Sequence, residues 1–160
     1  MALSLGLTGC LTDSKDKDEE EPPVTTPWAS DSALSVGAQG NATLGTAVDL
    51  DARRVMLSAT VNDTANARAN MRSVDLLFTY HESAFKIMSP VAAKAAGISV
   101  ANNYIDSIIT DTKFVKVTTV PANVEAAAVA FAAGTQVSSS VVAANDRFVV
   151  RTNLNEYVFV

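Results

Sequence analysis

Val74-Asp75-Leu76-Leu77-Phe78-Thr79-Tyr80 is the longest strongly apolar, β-prone run in the chain, with polar segments on both sides. Its length and its Leu, Phe and Tyr content predict a central strand buried on at least one face. The neighbouring segments read as elements that pack on it. Asp75 is an acid inside this run. It must either face solvent or be buried and capped by backbone N–H groups, because a buried carboxylate without donors is costly. A structural role, fixing the preceding turn, is the favoured reading.

Before the central strand, Ala33-Leu34-Ser35-Val36 reads as a short strand running into the Gly37–Asn41 turn, where Gly and Asn suit positive φ. Gly45–Asp51 and Arg53–Leu57 read as further extended stretches. Asn62–Met71 reads as a short helix, since Val61, Ala65 and Ala69 recur every four residues and Ser58 or Asn62 could cap it. After it, His81-Glu82-Ser83 is a polar turn and Phe85–Met88 a strand. Ser89-Pro90 combines an N-cap with a proline at the first helical position, and Gly97 is the expected left-handed stop. Tyr104, Ile105, Ile108 and Ile109 fit either helix or extended structure. Phe114–Thr119 reads as strand. Asn123 opens the clearest helix, with Val124, Ala127, Ala128 and Phe131 on one stripe and Gly134 at its end. Phe148–Thr152 and Tyr157–Val160 flank Asn153–Glu156, the best hairpin signal in the chain. The last residue falls inside that strand, which predicts either a sheet end there or a longer sequence. Strands and short helices alternate without βαβ regularity. The expected class is α+β, a mainly antiparallel sheet with a few short helices packed on it, with a β-sandwich carrying helical insertions as the alternative.

The formal charge of −5 is unevenly placed. Residues 1–31 hold seven acids against two lysines, and from Ser32 onward ten acids face ten Lys and Arg. The acidity therefore belongs to a tail, and the neutral body offers no basic cluster for nucleic acid. Thr12 to Pro27 has almost nothing to bury, so residues 11–31 read as an extended acidic, Pro-containing tether and residues 32–160 as one globular domain. Trp28 is the first residue able to dock on that body. No apolar run reaches the roughly eighteen residues that a membrane-spanning helix needs.

The single cysteine, Cys10, cannot form an intramolecular disulfide. Leu7-Thr8-Gly9-Cys10, after the apolar Ala2-Leu3-Ser4-Leu5-Gly6, resembles the lipobox of bacterial lipoproteins. That resemblance implies that Cys10 takes a diacylglycerol and becomes the mature N-terminus, residues 1–10 being a truncated signal. No Lys or Arg precedes Cys10 and the apolar run is short, which predicts a start upstream of Met1. The acidic stretch after Cys10 also resembles surface-export signals of outer-membrane lipoproteins. Val36–Asn41, Gly45, Asp49-Leu50-Asp51, Val74–Leu77 and Met88-Ser89-Pro90 together are similar to a recurring domain of uncharacterised cell-envelope lipoproteins in Bacteroidota- and Fibrobacterota-like bacteria. The likeness covers Leu34 to Val160, implies an envelope location, and brings no activity with it.

Catalytic signatures are missing: no Gly-x-Ser-x-Gly, no His-Glu-x-x-His, no P-loop and no Cys-x-x-Cys occurs. The lone His81 reads as a surface turn residue. Asp49 and Asp51 are two apart, so on a strand both carboxylates would share one side. Such a pair could hold Ca²⁺ or serve as acid and base. Arg53 and Arg54 just downstream favour neutralisation instead, so no metal and no cofactor is expected. Asp49, Asp51 and Asp75 remain the candidate ligand residues. The expected function is that of a lipid-anchored envelope protein of the outer membrane, with exposure at the cell surface as the reading that the acidic stretch adds, binding a glycan or a protein partner without catalysis. A hydrolase using a carboxylate pair and an accessory domain of an envelope complex are the alternatives. The sequons Asn41-Ala42-Thr43 and Asn62-Asp63-Thr64 carry little meaning in a bacterial host.

Overall fold

The computed structural model describes residues 34–39, 41, 43–63 and 65–160. Cys10, the acidic tether and Trp28 lie outside the described residues, as does Ala33. Eight strands and four α-helices occur among the described residues, in an α+β arrangement. The strands are β1 (Ala47–Asp49), β2 (Arg54–Met56), β3 (Leu76–His81), β4 (Ala84–Met88), β5 (Lys113–Val117), β6 (Ser139–Val141), β7 (Arg147–Arg151) and β8 (Tyr157–Phe159). The helices are α1 (Ser58–Val61), α2 (Ala67–Ser73), α3 (Pro90–Ala95) and α4 (Val124–Ala133).

The strands form two antiparallel sheets, ordered β2-β1-β3-β4-β6 and β5-β7-β8. The expected central strand is β3, third of the five in the larger sheet. It is buried on both faces at its start because successive side chains point opposite ways. Leu77 turns to a cluster with Ala47, Met56 and Met88, covered by Val61, Met71, Ala93 and Tyr104 from the helical side. Leu76 turns to the other cluster with Val48 and Leu50, where Phe114, Phe148 and Val150 of the small sheet meet it. The far face of the small sheet packs Val115 and Val149 on Ala127 and Phe131 of α4. The order of layers is helices, large sheet, small sheet, α4. The face-to-face sheets give part of the geometry that a sandwich would have, but each outer face is helical.

Several expectations need correction. Leu34–Val36 form no strand, and Val36 instead packs at the edge of the inter-sheet cluster. The helix expected over Asn62–Met71 begins only at Ala67, as α2, and the separate one-turn α1 ends at Val61, before that span. Asp63 Oδ1 accepts from Ala65 N at 3.2 Å, and such local side-chain bonding competes with helix propagation. Ala65 and Ala69 are exposed, and Met71 is the residue that α2 buries. The β1 strand stops at Asp49, so Asp51 lies in a tight turn to β2, in which Arg53 has φ 52°. The 98–109 segment is a 3₁₀ turn over Ser99–Ala101 followed by irregular turns around the buried Tyr104. Edge strand β6 carries only Ser139, Ser140 and Val141, too short and polar to signal itself. The helix starts held: Ser89 caps α3 by accepting from Ala92 N, and Asn123 caps α4 by accepting from Ala126 N at 2.8 Å.

Candidate functional site

The three candidate acids converge. A carboxylate oxygen from each of Asp49, Asp51 and Asp75 lies within 4.8 Å of the others. The β1–β2 turn delivers Asp49 and Asp51, and the α2–β3 junction delivers Asp75. The pairing of β1 with β3 forces the approach: Val48 sits opposite Leu76, and Asp75 N donates to Val48 O at 2.8 Å.

Two of these acids are occupied in holding the fold. Asp75 is fully buried and accepts at both oxygens, from Leu50 N and from Asn153 N, each at 2.8 Å. Leu50 belongs to the β1–β2 turn and Asn153 to the β7–β8 turn. One carboxylate thus links the two sheets: of the two alternatives for Asp75 the structure has the buried, backbone-capped one, with donors from the β1–β2 and β7–β8 turns and not from the preceding turn. Burial pushes its carboxyl up to about 6, against the lowering by its two backbone donors, and the charges of Asp51 and Asp49 push the same way as burial. Asp49 is also buried; its Oδ1 accepts from Ala52 N and its Oδ2 from Arg54 Nε, both at 2.9 Å. The neutralising arginine is therefore Arg54, whose Nη2 goes on to Ser73 Oγ at 3.1 Å. Asp51 differs, since its Oδ1 is buried with no hydrogen-bond partner among the described residues.

Three oxygen donors at this spacing match the donor chemistry of a hard cation such as Ca²⁺. They make a poor acid/base pair, because Asp49 and Asp75 are tied to backbone N–H groups. An open groove of about 470 Å³ between β5 and α4 lies away from these acids and is lined by Val115, Val117, Pro121, Ala130 and Gly134. Its one titratable side chain, Lys116, is paired with Asp146 Oδ1 at 2.6 Å.

A second surface was missed from the sequence. Tyr80 and Phe85 face each other across β3 and β4, with ring centroids 5.1 Å apart, and both are about half exposed, at 51% and 49%. Phe78 stacks against Phe85 with centroids 5.6 Å apart and planes within 4°. These rings continue the inter-sheet face of the large sheet past the reach of the smaller one. The Glu82-Ser83 turn that closes the hairpin has φ 51° and 62°, a tight two-residue turn whose twist matches the strands. The missed signal was the alternation of Phe78 and Tyr80 on one strand with Phe85 on the next. His81 sits at this turn, half-buried, 3.9 Å from Glu82.

Comparison with family models, with curated proteins and with solved structures finds no match. Among the described residues, no helix is long and apolar enough to cross a membrane.

Proposed function

We propose that this chain is a lipid-anchored cell-envelope protein whose folded body binds a glycan without catalysis. The observation that carries the binding reading is the pair of half-exposed rings, Tyr80 and Phe85, on a sheet face, backed by the half-buried Phe78. Flat aromatic rings suit the C–H faces of sugars, and the Tyr80 hydroxyl adds a polar handle at the rim. Two adjacent half-exposed rings on one sheet face offer a partner an apolar contact. The occupied state of Asp49 and Asp75 supports a non-catalytic reading over a carboxylate-pair hydrolase. The envelope location rests on Leu7-Thr8-Gly9-Cys10 and on the acidic stretch that follows it.

The test is a glycan array of bacterial envelope and matrix polysaccharides probed with the protein, beside the Tyr80→Ala and Phe85→Ala variants. Retained glycans that both variants lose, with melting temperatures near the parent's, support the reading. If no glycan is retained, but a protein partner is captured from detergent-solubilised envelope and lost in the same variants, the ligand class is wrong. Binding that survives both substitutions removes the aromatic surface from the account.

A further inference from the structure

We infer that the open edge of β5, at the groove beside α4, takes the Val24-Thr25-Thr26 stretch of this same chain as an added antiparallel strand.

Register shows the edge to be open. Phe148 of β7 lies opposite Lys116, yet both of its backbone groups are engaged with Val160. Phe148 N donates to Val160 O at 2.8 Å, and Val160 N to Phe148 O at 2.9 Å. The N–H and C=O of Lys116 therefore point away from β7. Among the described residues no backbone hydrogen bond meets them on that side. At Phe114 the same edge is already held by Val137, through a reciprocal pair at 3.0 Å each way. Lys116 and Thr118 beyond it are exposed and line the groove. Unpaired strand groups beside an apolar groove suit an extended segment that adds by main-chain hydrogen bonds. The groove closes at Val115, where a Cβ on Gly134 would meet Val115 Cγ1 at 2.1 Å, and lies open along Val117.

The prolines, the chain length and the charge select the occupant. With Thr25 opposite Lys116, the two exchange both backbone hydrogen bonds, and Val24 lies over the groove beside Val117. Pro23 then stands opposite Thr118, just past the end of β5. It has no N–H to give, but Thr118 O already accepts from Arg147 Nη1 at 3.5 Å. Pro27 stands opposite Phe114, where Val137 holds the edge and no donor is required. An edge strand tolerates proline at such places. The antiparallel direction also leads the chain toward its next described residues. Leu34 is the first of these, and Val36 packs on the cluster that contains Phe114. The eight residues from Thr26 to Leu34 span up to about 27 Å. At the other end, Glu19, Glu20 and Glu21 come to the side of Arg147, which stands opposite Val117. Arg147 is exposed, and among the described residues its guanidinium meets no carboxylate. Tethering within one chain raises the effective concentration of so short a strand. The contact lies on the α4 side of the small sheet and does not rest on the binding role of Tyr80 and Phe85.

The test is amide hydrogen exchange of the full chain by NMR, with Thr25→Pro, Thr25→Val and Arg147→Glu beside the parent. Thr25→Pro keeps charge and length but removes the donor to Lys116 O, so the Lys116 amide should exchange about tenfold faster than in the parent. Thr25→Val suits a strand and should keep the protection. Arg147→Glu should speed exchange at Lys116, and the Val115 amide, which faces β7, should be unchanged throughout. A Lys116 amide that exchanges in the parent at the rate of an unfolded peptide overturns the inference. So does protection that Thr25→Pro leaves in place. Protection that is lost on dilution assigns the strand to a second copy and overturns docking within one chain.

Discussion

Gln39 serves Tyr80 as a substitute strand. Tyr80 N donates to Gln39 Oε1 at 2.6 Å, and Gln39 Nε2 donates back to the Tyr80 carbonyl. β1 pairs with β3 only as far as Ala47 opposite Leu77. Beyond that point Phe78 N donates to Thr46 O, the Thr46 hydroxyl donates to Phe78 O, and the Gln39 amide then takes over. A bare edge beside exposed aromatic rings would invite another strand, and the Gln39 amide blunts it.

Gln39→Ala should therefore expose this edge while leaving the core intact. The expected cost is about 0.5–1.5 kcal/mol, the net worth of an ordinary pair of partly solvated hydrogen bonds. Hydrogen exchange at Tyr80 should accelerate, with exchange at Leu77 unchanged. Equal acceleration at both amides would mean that Gln39 supports the whole strand and not its edge alone.

The turn between β3 and β4 predicts a substitution that stabilises. Ser83 has φ 62°, in the left-handed region that costs a side-chain-bearing residue about 1 kcal/mol or more. Ser83→Gly relieves that strain but raises the entropy of the unfolded chain. A net gain of roughly 0.5 kcal/mol in urea denaturation is expected. Glu82 is left in place because it pairs with Lys86. A loss of stability in Ser83→Gly would show the turn relaxing to another conformation in solution.

Gly45 predicts the opposite sign. A Cβ there would meet the Met56 carbonyl oxygen at 2.5 Å and Val55 Cγ1 at 2.6 Å. Backbone cannot swing aside as a side-chain end can, so β1 and β2 would have to part where Thr46 N donates to Met56 O at 3.1 Å. Gly45→Ala should cost about 1–3 kcal/mol, as overpacking does, read from the denaturation midpoint. A midpoint within error of the parent would mean that this approach is looser than the structure has it.

Much of this fold is legible in the sequence, and the failures share a cause. β3, β4, α3, α4 and the β7–β8 hairpin carry strong local signals: long apolar runs, a Ser-Pro start, an Asn cap and a polar turn between aromatic strands. β6, the late start of α2 at Ala67 and the turn holding Asp51 depend on tertiary contacts that no local window contains. The same holds for the acid cluster. Asp49 and Asp51 were candidates for facing one side of a strand, yet they meet because a turn folds back on the α2–β3 junction. Asn153, 78 residues from Asp75 along the chain, carries no sign of its part in that contact.

Truncation before Asn145 should leave the body insoluble or molten. β7 is the middle strand of the small sheet, and its two faces serve different clusters. Phe148 and Val150 fill the space between the sheets, and Val149 packs with Phe131 of α4. Removing them strips one wall from each cluster, and with Asn153 goes one of the two donors to Asp75. Loss of near-UV circular dichroism and of a cooperative melting transition is the expected readout. A soluble 28–144 fragment that melts cooperatively would show that the large sheet and its helices fold without the hairpin.

The proposed anchor makes the remaining prediction, and Cys10 carries it. The Leu7-Thr8-Gly9-Cys10 sequence would direct diacylglycerol to the thiol and cleavage before it, while Gly9 gives the peptidase room at the bond. Each buried CH₂ of an acyl chain contributes about 0.8 kcal/mol, so two or three chains hold where one would not. Expressed behind a complete lipoprotein signal, the parent protein should partition into detergent and fractionate with membranes. Cys10→Ala should block processing and leave a precursor attached through its signal alone, visible as a slower band that takes up no labelled fatty acid. If the Cys10→Ala protein is cleaved and fractionates like the parent, Cys10 does not hold the chain at a membrane, and the envelope reading loses its main support.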